Sequence, residues 1–262
     1  MVAPPLALRR SHRRWGMNAP TNTGSPGTRV LGVLTLLGMA LLLAYALVWS
    51  PADRDMHDSV RLMYVHVPTA IMAYLGCGLT TLASGMWLWR RSEGWWVLAG
   101  AAAEIATVFT GIALAAGSIW GRPTWNTYWQ WDPRITSTTL LFIMLIGVQA
   151  LRRIDNESGD AASRGARGAI VGLLLFPNVV IVHFSVDWWR SLHQTATITR
   201  LDPTIEGTML FTLMLGIVVM GLLFSWLLIH RFRVGWLEER IGTVGLDQAI
   251  VERRAEAGMV TP

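Results

Sequence analysis

Long apolar runs separated by short polar breaks organise this chain from about residue 30 to residue 230. Six can be delimited, at Val30–Trp49, Arg61–Trp89, Trp95–Gly117, Ile135–Leu151, Ala169–Phe184 and Gly207–His230. Each is near the roughly 20 residues that carry an α-helix across the hydrocarbon of a bilayer. Within lipid the backbone must satisfy its own hydrogen bonds, so the pattern predicts an all-α fold, a polytopic bundle of six transmembrane helices. The second run is long enough to tilt or to extend beyond the bilayer. The membrane domain is expected over 29–233, with outer-face loops at 118–134 and 185–206. Residues 1–28, rich in Pro, Gly, Asn and Arg, read as a disordered tail without a cleavable leader, and 234–262 as a second tail.

Composition supports the membrane reading. Apolar residues make up 52% and charged residues only 15%, against roughly a quarter charged in soluble domains. All 22 basic residues are Arg. Arg54, Arg61, Arg122, Arg134, Arg190 and Arg200 fall on one side of the predicted spans, and the remaining 16 on the other. The arginine-rich side is expected to be cytoplasmic, with both termini. The net charge of +5 thus follows membrane sidedness and lipid, and implies no nucleic-acid partner. The lone Cys77 excludes an internal disulfide and a Cys-x-x-Cys haem attachment, and reads as a packing residue.

Chemistry concentrates on the expected outer side. Asp132-Pro133 and Asp202-Pro203 each have the form of a helix start, an Asp N-cap followed by Pro at the first helical position. Of six histidines, His12, His57 and His230 read as tail, loop and helix-end residues. His66, His183 and His193 lie near the outer face, where ionisable groups at membrane depth are functional candidates. Bis-imidazole ligation of haem iron needs ligands from different segments. His66 with His193, or His66 with His183, meets that need.

Between Trp120 and Arg134 the chain carries Trp120, Trp125, Trp129 and Trp131, with Tyr128, Arg122, Asp132 and Arg134. Interfacial anchoring accounts for isolated tryptophans such as Trp49, Trp87, Trp89, Trp95 and Trp96. It does not account for four within twelve residues. Indole faces stack on a flat apolar ligand with large area and little entropy cost, and Arg pairs with carboxylates such as haem propionates. Arg61, Arg122 and Arg134 are the candidate cations. Trp188 and Trp189 serve either as belt residues or as a second part of the platform.

These residues form a recognisable set. Trp120-Gly-x-Pro-x-Trp125, with Trp129-x-Trp131-Asp132-x-Arg134-x-Thr136, resembles the tryptophan-rich signature of the WWD haem-handling membrane proteins. His66-Val-Pro68, Gly117-Ser-x-Trp120-Gly121 and His183-x-Ser-Val-x-Trp188-Trp189-x-x-Leu192-His193-Gln194 extend the resemblance over about residues 30–230, toward the CcmC family. The resemblance implies non-covalent binding of b-type haem at the periplasmic face of a bacterial inner membrane. It implies His66 and His193 as axial ligands, and delivery to the haem chaperone CcmE during cytochrome c maturation. It further implies CcmA, CcmB and CcmD as partner subunits. The chain has no phosphate-cradling loop, so ATP hydrolysis is expected in a partner and no enzymatic activity here. Two other readings are a transporter moving haem through the membrane, which should line its midplane with polar groups, and a quinol-oxidising cytochrome b subunit, which should bury paired histidines. Glu104 is the main acid within a predicted span.

Overall fold

The protein is described by a computed structural model covering residues 23–157, 165–193, 205 and 207–258. Six helices follow in order: α1 (Pro26–Ala44), α2 (Met63–Arg90), α3 (Glu93–Trp125), α4 (Pro133–Glu157), α5 (Ala166–Trp188) and α6 (Gly207–Gly258). A π-helical turn, Tyr45–Trp49, ends α1, and a 3-10 turn, Asp58–Leu62, leads into α2. All six spans are long and apolar enough to cross a membrane, and the described residues form no strand, only an isolated bridge between Asp53 and His57.

α2 and α3 are packed along their length as a hairpin. α4 pairs with α5, α5 lies against α2, and α1 pairs with α6, which also crosses α2 and α3. Small residues set the close approaches, as expected where lipid offers no hydrophobic drive for helices to associate. A Cβ on Gly76 would meet the Ala106 Cβ at 2.8 Å. The predicted contact motif Gly168-x-x-x-Gly172 divides its work: Gly168 faces Arg152 of α4, and Gly172 faces Ser84 of α2. Cys77 is fully buried among Ala103, Ala106, Leu141, Leu145 and Leu175.

Four boundaries differ from the sequence reading. The tail expected over 1–28 gives way to helix at Pro26, because Ser25 and Thr28 form a reciprocal capping box and Pro26 takes the first helical position. Residues 1–22 lie outside the described residues. The loop expected over 118–134 begins only at Asn126. Pro123 does not end α3; the helix stops where Asn126 adopts a left-handed φ of 59° and Arg122 Nη1 donates to its carbonyl and side-chain oxygens at 2.5 and 2.7 Å. The loop expected over 185–206 starts after Trp188. The tail expected over 234–262 continues α6 as helix to Gly258.

At the arginine-rich end, polar groups pair across helices. Arg231 of α6 reaches both carboxylate oxygens of Glu104 on α3, with Nη2 at 2.8 Å from Oε1, and Nη1 lies 3.3 Å from Glu238. Arg152 stacks 3.4 Å from the Trp96 ring centre and donates to the Trp96 carbonyl at 2.6 Å. The Trp96 indole donates to Glu239 at 3.2 Å. Glu104 is therefore held by a cation on the neighbouring helix.

Candidate functional site at the outer end of the bundle

His66 stands in the first turns of α2, two residues before Pro68. Proline has no N–H, so the Tyr64 carbonyl loses its helical partner. Thr69 supports this turn by donating through Oγ1 to the carbonyls of Val65 and His66 at 2.8 and 2.9 Å. The imidazole crosses to α3 and places Nδ1 2.9 Å from the Ala113 carbonyl. A carbonyl oxygen can only accept, so Nδ1 carries the proton and Nε2 keeps its lone pair. One turn further along α3, a Cβ on Gly117 would lie 2.7 Å from His66 Cε1. The absence of a side chain there makes room for the ring.

His193 reaches the same place from another segment. Past α5 the chain is tied down by Asp132. One carboxylate oxygen, Oδ1, accepts from Ile135 N at 2.8 Å and caps α4, the role predicted for this residue. The other, Oδ2, accepts from Ser191 Oγ at 2.5 Å, Leu192 N at 3.1 Å and His193 Nδ1 at 3.2 Å. Again Nδ1–H is held by an oxygen and Nε2 is left with no hydrogen bond among the described residues. A carboxylate behind an imidazole fixes its orientation and raises its basicity as a ligand.

Burial holds His193 below the ordinary histidine range, opposed in part by the Asp132 carboxylate. Burial raises the Asp132 carboxyl, but the bonds from Ser191, Ile135 and His193 outweigh it and hold the group low. The pair therefore rests as carboxylate and neutral imidazole near neutral pH.

Both histidines line one cavity of about 90 Å³ between α2, α3, α4 and the segments that follow α3 and α5. It extends below them past Tyr74, Thr110 and Leu141. Arg134 also lines it; its Nη2 donates to the His183 carbonyl at 2.9 Å, while its Nε is buried without a partner among the described residues. The Trp129 indole N–H is likewise buried and unpartnered beside the cavity. A space of this volume takes about three waters at roughly 30 Å³ each. Pockets for larger ligands run to roughly 300–1,000 Å³.

The structure separates the predicted site residues. His66, His193, Trp129 and Arg134 converge on the cavity. Trp120 and Trp125, on the last turns of α3, sit behind the imidazoles: Trp125 is 4.6 Å from the His193 ring and Trp120 is 5.9 Å from the His66 ring. The four tryptophans are therefore not one flat platform. Trp131 is 67% exposed and meets Trp129 edge-on at 80°. Trp188 and Trp189 are exposed beside the cavity rather than in its wall, Trp188 stacking on Phe184 at 5.5 Å. Arg61 is engaged elsewhere, by the Ala46 carbonyl at the end of α1 and by Asp58 at 3.0 Å. His183 is exposed, with its ring 6.5 Å from Tyr74; its carbonyl, not its ring, serves the site.

Asp132 was legible only as a helix cap, because its second partner lies 61 residues away. The small residues Ala70 and Ala73 on α2, and Ala113 and Gly117 on α3, line the cavity at helical spacing, a signal that the sequence reading did not use.

Comparison with known proteins gives a consistent result. The family model CcmC, Heme exporter protein C, matches residues 19–246. Heme exporter protein C of Bradyrhizobium diazoefficiens is 36% identical over 221 residues, 84% of this chain and 82% of that protein. Its counterpart in Haemophilus influenzae is 36% identical over 208 residues, covering 79% and 83%. A ccmC-like mitochondrial protein of Marchantia polymorpha, named for cytochrome c biosynthesis, is 34% identical over 181 residues, covering 69% and 74%. With six membrane-crossing helices and the family match over most of its length, the chain belongs to the CcmC family.

Proposed function

We propose that this protein binds b-type haem non-covalently at the periplasmic face of the bacterial inner membrane and hands it to the chaperone CcmE for cytochrome c maturation. The observation that carries this reading is the matched pair of histidines. Two imidazoles from separate segments face one cavity, each with Nδ1–H bonded to an oxygen and Nε2 without a hydrogen bond among the described residues. Haem iron takes imidazole nitrogen as an axial ligand, and neutral rings held in this tautomer are ready to bind without first losing a proton.

In this reading His66 and His193 hold the iron, and Arg134, with one unpaired N–H, neutralises a propionate. The cavity at about 90 Å³ is smaller than the cargo, so loading separates the two histidine-bearing walls. The wall that moves in this reading is formed by the Asn126–Asp132 and Ser191–His193 segments, which Asp132 ties together. The exposed faces of Trp131, Trp188 and Trp189 then meet the ligand edge or the chaperone. CcmA, CcmB and CcmD supply the remaining subunits, and ATP is hydrolysed there, so this chain acts as a binding and delivery subunit rather than an enzyme. Both termini are cytoplasmic.

The test is the absorption spectrum of the purified chain beside its His66→Ala and His193→Ala variants. The wild type should show low-spin bis-histidine haem, and each variant should lose it. An unchanged spectrum in either variant removes that histidine from ligation. Failure of the wild type to retain haem or to capture CcmE overturns the reading.

A further inference from the structure

We propose that the groove between the first turns of α1 and the arginine-rich half of α6 is a binding site for one anionic phospholipid. The groove has a volume of about 380 Å³ and is lined by Arg29, Gly32, Val33 and Leu36 of α1 and by Trp226 and His230 of α6. It is remote in sequence and in place from the histidine cavity, and it does not depend on the haem reading.

The groove is graded along its length. Arg29 and His230 stand at the end of the span, where the arginines of the chain gather. Val33 and Leu36 follow along α1, so the lining continues for about 10 Å at 1.5 Å per residue. Basic pockets between helices at the cytoplasmic surface suit anionic lipid headgroups, and the apolar wall below suits an acyl chain. The floor is open because α1 has Gly32: a Cβ there would meet the Trp226 ring at 3.0 Å.

The charges are arranged to stay available. Arg231 is taken up by Glu104 and Glu238. Arg233 donates to the Thr23 carbonyl at 3.1 Å and to Ser25 Oγ at 3.2 Å, which fixes the start of α1 against α6 and adds positive charge nearby. The Arg29 guanidinium has no hydrogen-bond or ion-pair partner among the described residues. His230 meets only the edge of Trp226, at 5.7 Å.

Charge also decides the occupant. The preceding residues 1–22 carry Arg9, Arg10, Arg13 and Arg14 and no acid, so they offer no charge complementary to Arg29 and Arg233. A second copy of the chain would bring the same positive end to the groove. A phospholipid with a negative headgroup matches both ends of the gradient.

The experiment is native mass spectrometry of the full-length chain after exchange into detergent with equimolar phosphatidylglycerol and phosphatidylcholine. Wild type should retain one phosphatidylglycerol in preference to phosphatidylcholine, by about fivefold for the one arginine nearest the headgroup. Arg29→Gln should abolish that preference, and Leu36→Trp, a change on a lipid-facing position, should lower retention of both lipids. Thermal melting and the haem spectrum should stay unchanged in both variants, which separates this proposal from the function proposed above. Equal retention of the two lipids by wild type overturns the site, as does an unaltered preference in Arg29→Gln. A lipid-free dimer, or cross-links from residues 1–22 to His230, overturns it in favour of another occupant.

Discussion

The two ends of the bundle both bring charged and polar side chains together between helices, and they treat them in opposite ways. At the arginine-rich end, Arg231 meets Glu104 and Glu238, and Arg152, Trp96 and Glu239 are joined by stacking and hydrogen bonds. Buried toward that end without a hydrogen bond among the described residues are the Trp236 indole N–H and the Ser84 hydroxyl, which lie apart from one another on α6 and α2. At the histidine end, Asp132, Ser191 and Thr69 satisfy the backbone, yet Arg134 Nε and the Trp129 indole N–H are buried beside the cavity without a hydrogen bond among the described residues, and the Nε2 atoms of both histidines make none there. A buried polar group without a partner carries a desolvation cost of about 1–3 kcal/mol. A fold that leaves such groups facing one cavity is organised for a ligand. A fold that closes them against one another is organised for its own stability.

The largest effect that could break this contrast comes from Gly117. A valine there should push the His66 ring off its Ala113 anchor, because the ring stands 2.7 Å from the position a Cβ would take. Gly117→Val is expected to abolish bis-histidine haem binding while circular dichroism shows the helices intact. Retention of the wild-type spectrum would mean that the ring position is not what the site requires.

Next in size is Asp132→Asn. Asparagine caps a helix as well as aspartate does, so α4 should keep its start, while His193 loses a charged acceptor. Removing such a partner from a ligating histidine typically costs about 10–100-fold in affinity. Haem titration should show a loss in that range with little change in melting temperature. A fall in stability without a fall in affinity would reassign Asp132 to capping alone.

Glu104→Gln probes the other end. It leaves Arg231 with a weaker partner at a site where the two side chains are 33% and 38% exposed. That places the cost between surface and buried pairs, at about 1–2 kcal/mol. Thermal unfolding should come several degrees lower, and the haem spectrum should not move. A changed spectrum would show that the two ends are coupled.

The smallest effect is a graded pH dependence of the haem-free chain. His193 is held below its ordinary value of 6.5 in the fold, so the unfolded chain takes up that proton first. Stability should therefore be complete above about 6.5 and should decline as pH falls below it. Asp132, also held low, acts in the same direction but only below about 4. Melting curves between pH 7.5 and 5 should slope accordingly, and His193→Gln should flatten the slope.

The length of the apolar runs read the six spans from residues 30 to 230 correctly, since lipid allows a long apolar run little choice but helix. Their ends were less legible. The third run was read as ending at Gly117, yet α3 continued to Trp125, because Asn126 and Arg122 provide the actual cap. Polar composition after Phe232 looked like a tail, yet α6 runs on to Gly258. In the site, histidine chemistry pointed to His66 with either His193 or His183, and the family resemblance selected His193. The tryptophans were read as a single surface, although Trp120 and Trp125 back the imidazoles, Trp129 lines the cavity and Trp131 faces outward.

What the sequence determined by itself is what depends on local composition: apolar length, the helix start at Asp132, and the residue types able to hold haem. What the tertiary structure decided is which nitrogen of each histidine is committed and which is free. That choice is made by the Ala113 carbonyl, 47 residues from His66, and by the Asp132 carboxylate, 61 residues from His193. Hydrogen bonds across such separations exist only once the helices are packed, so no local pattern records them.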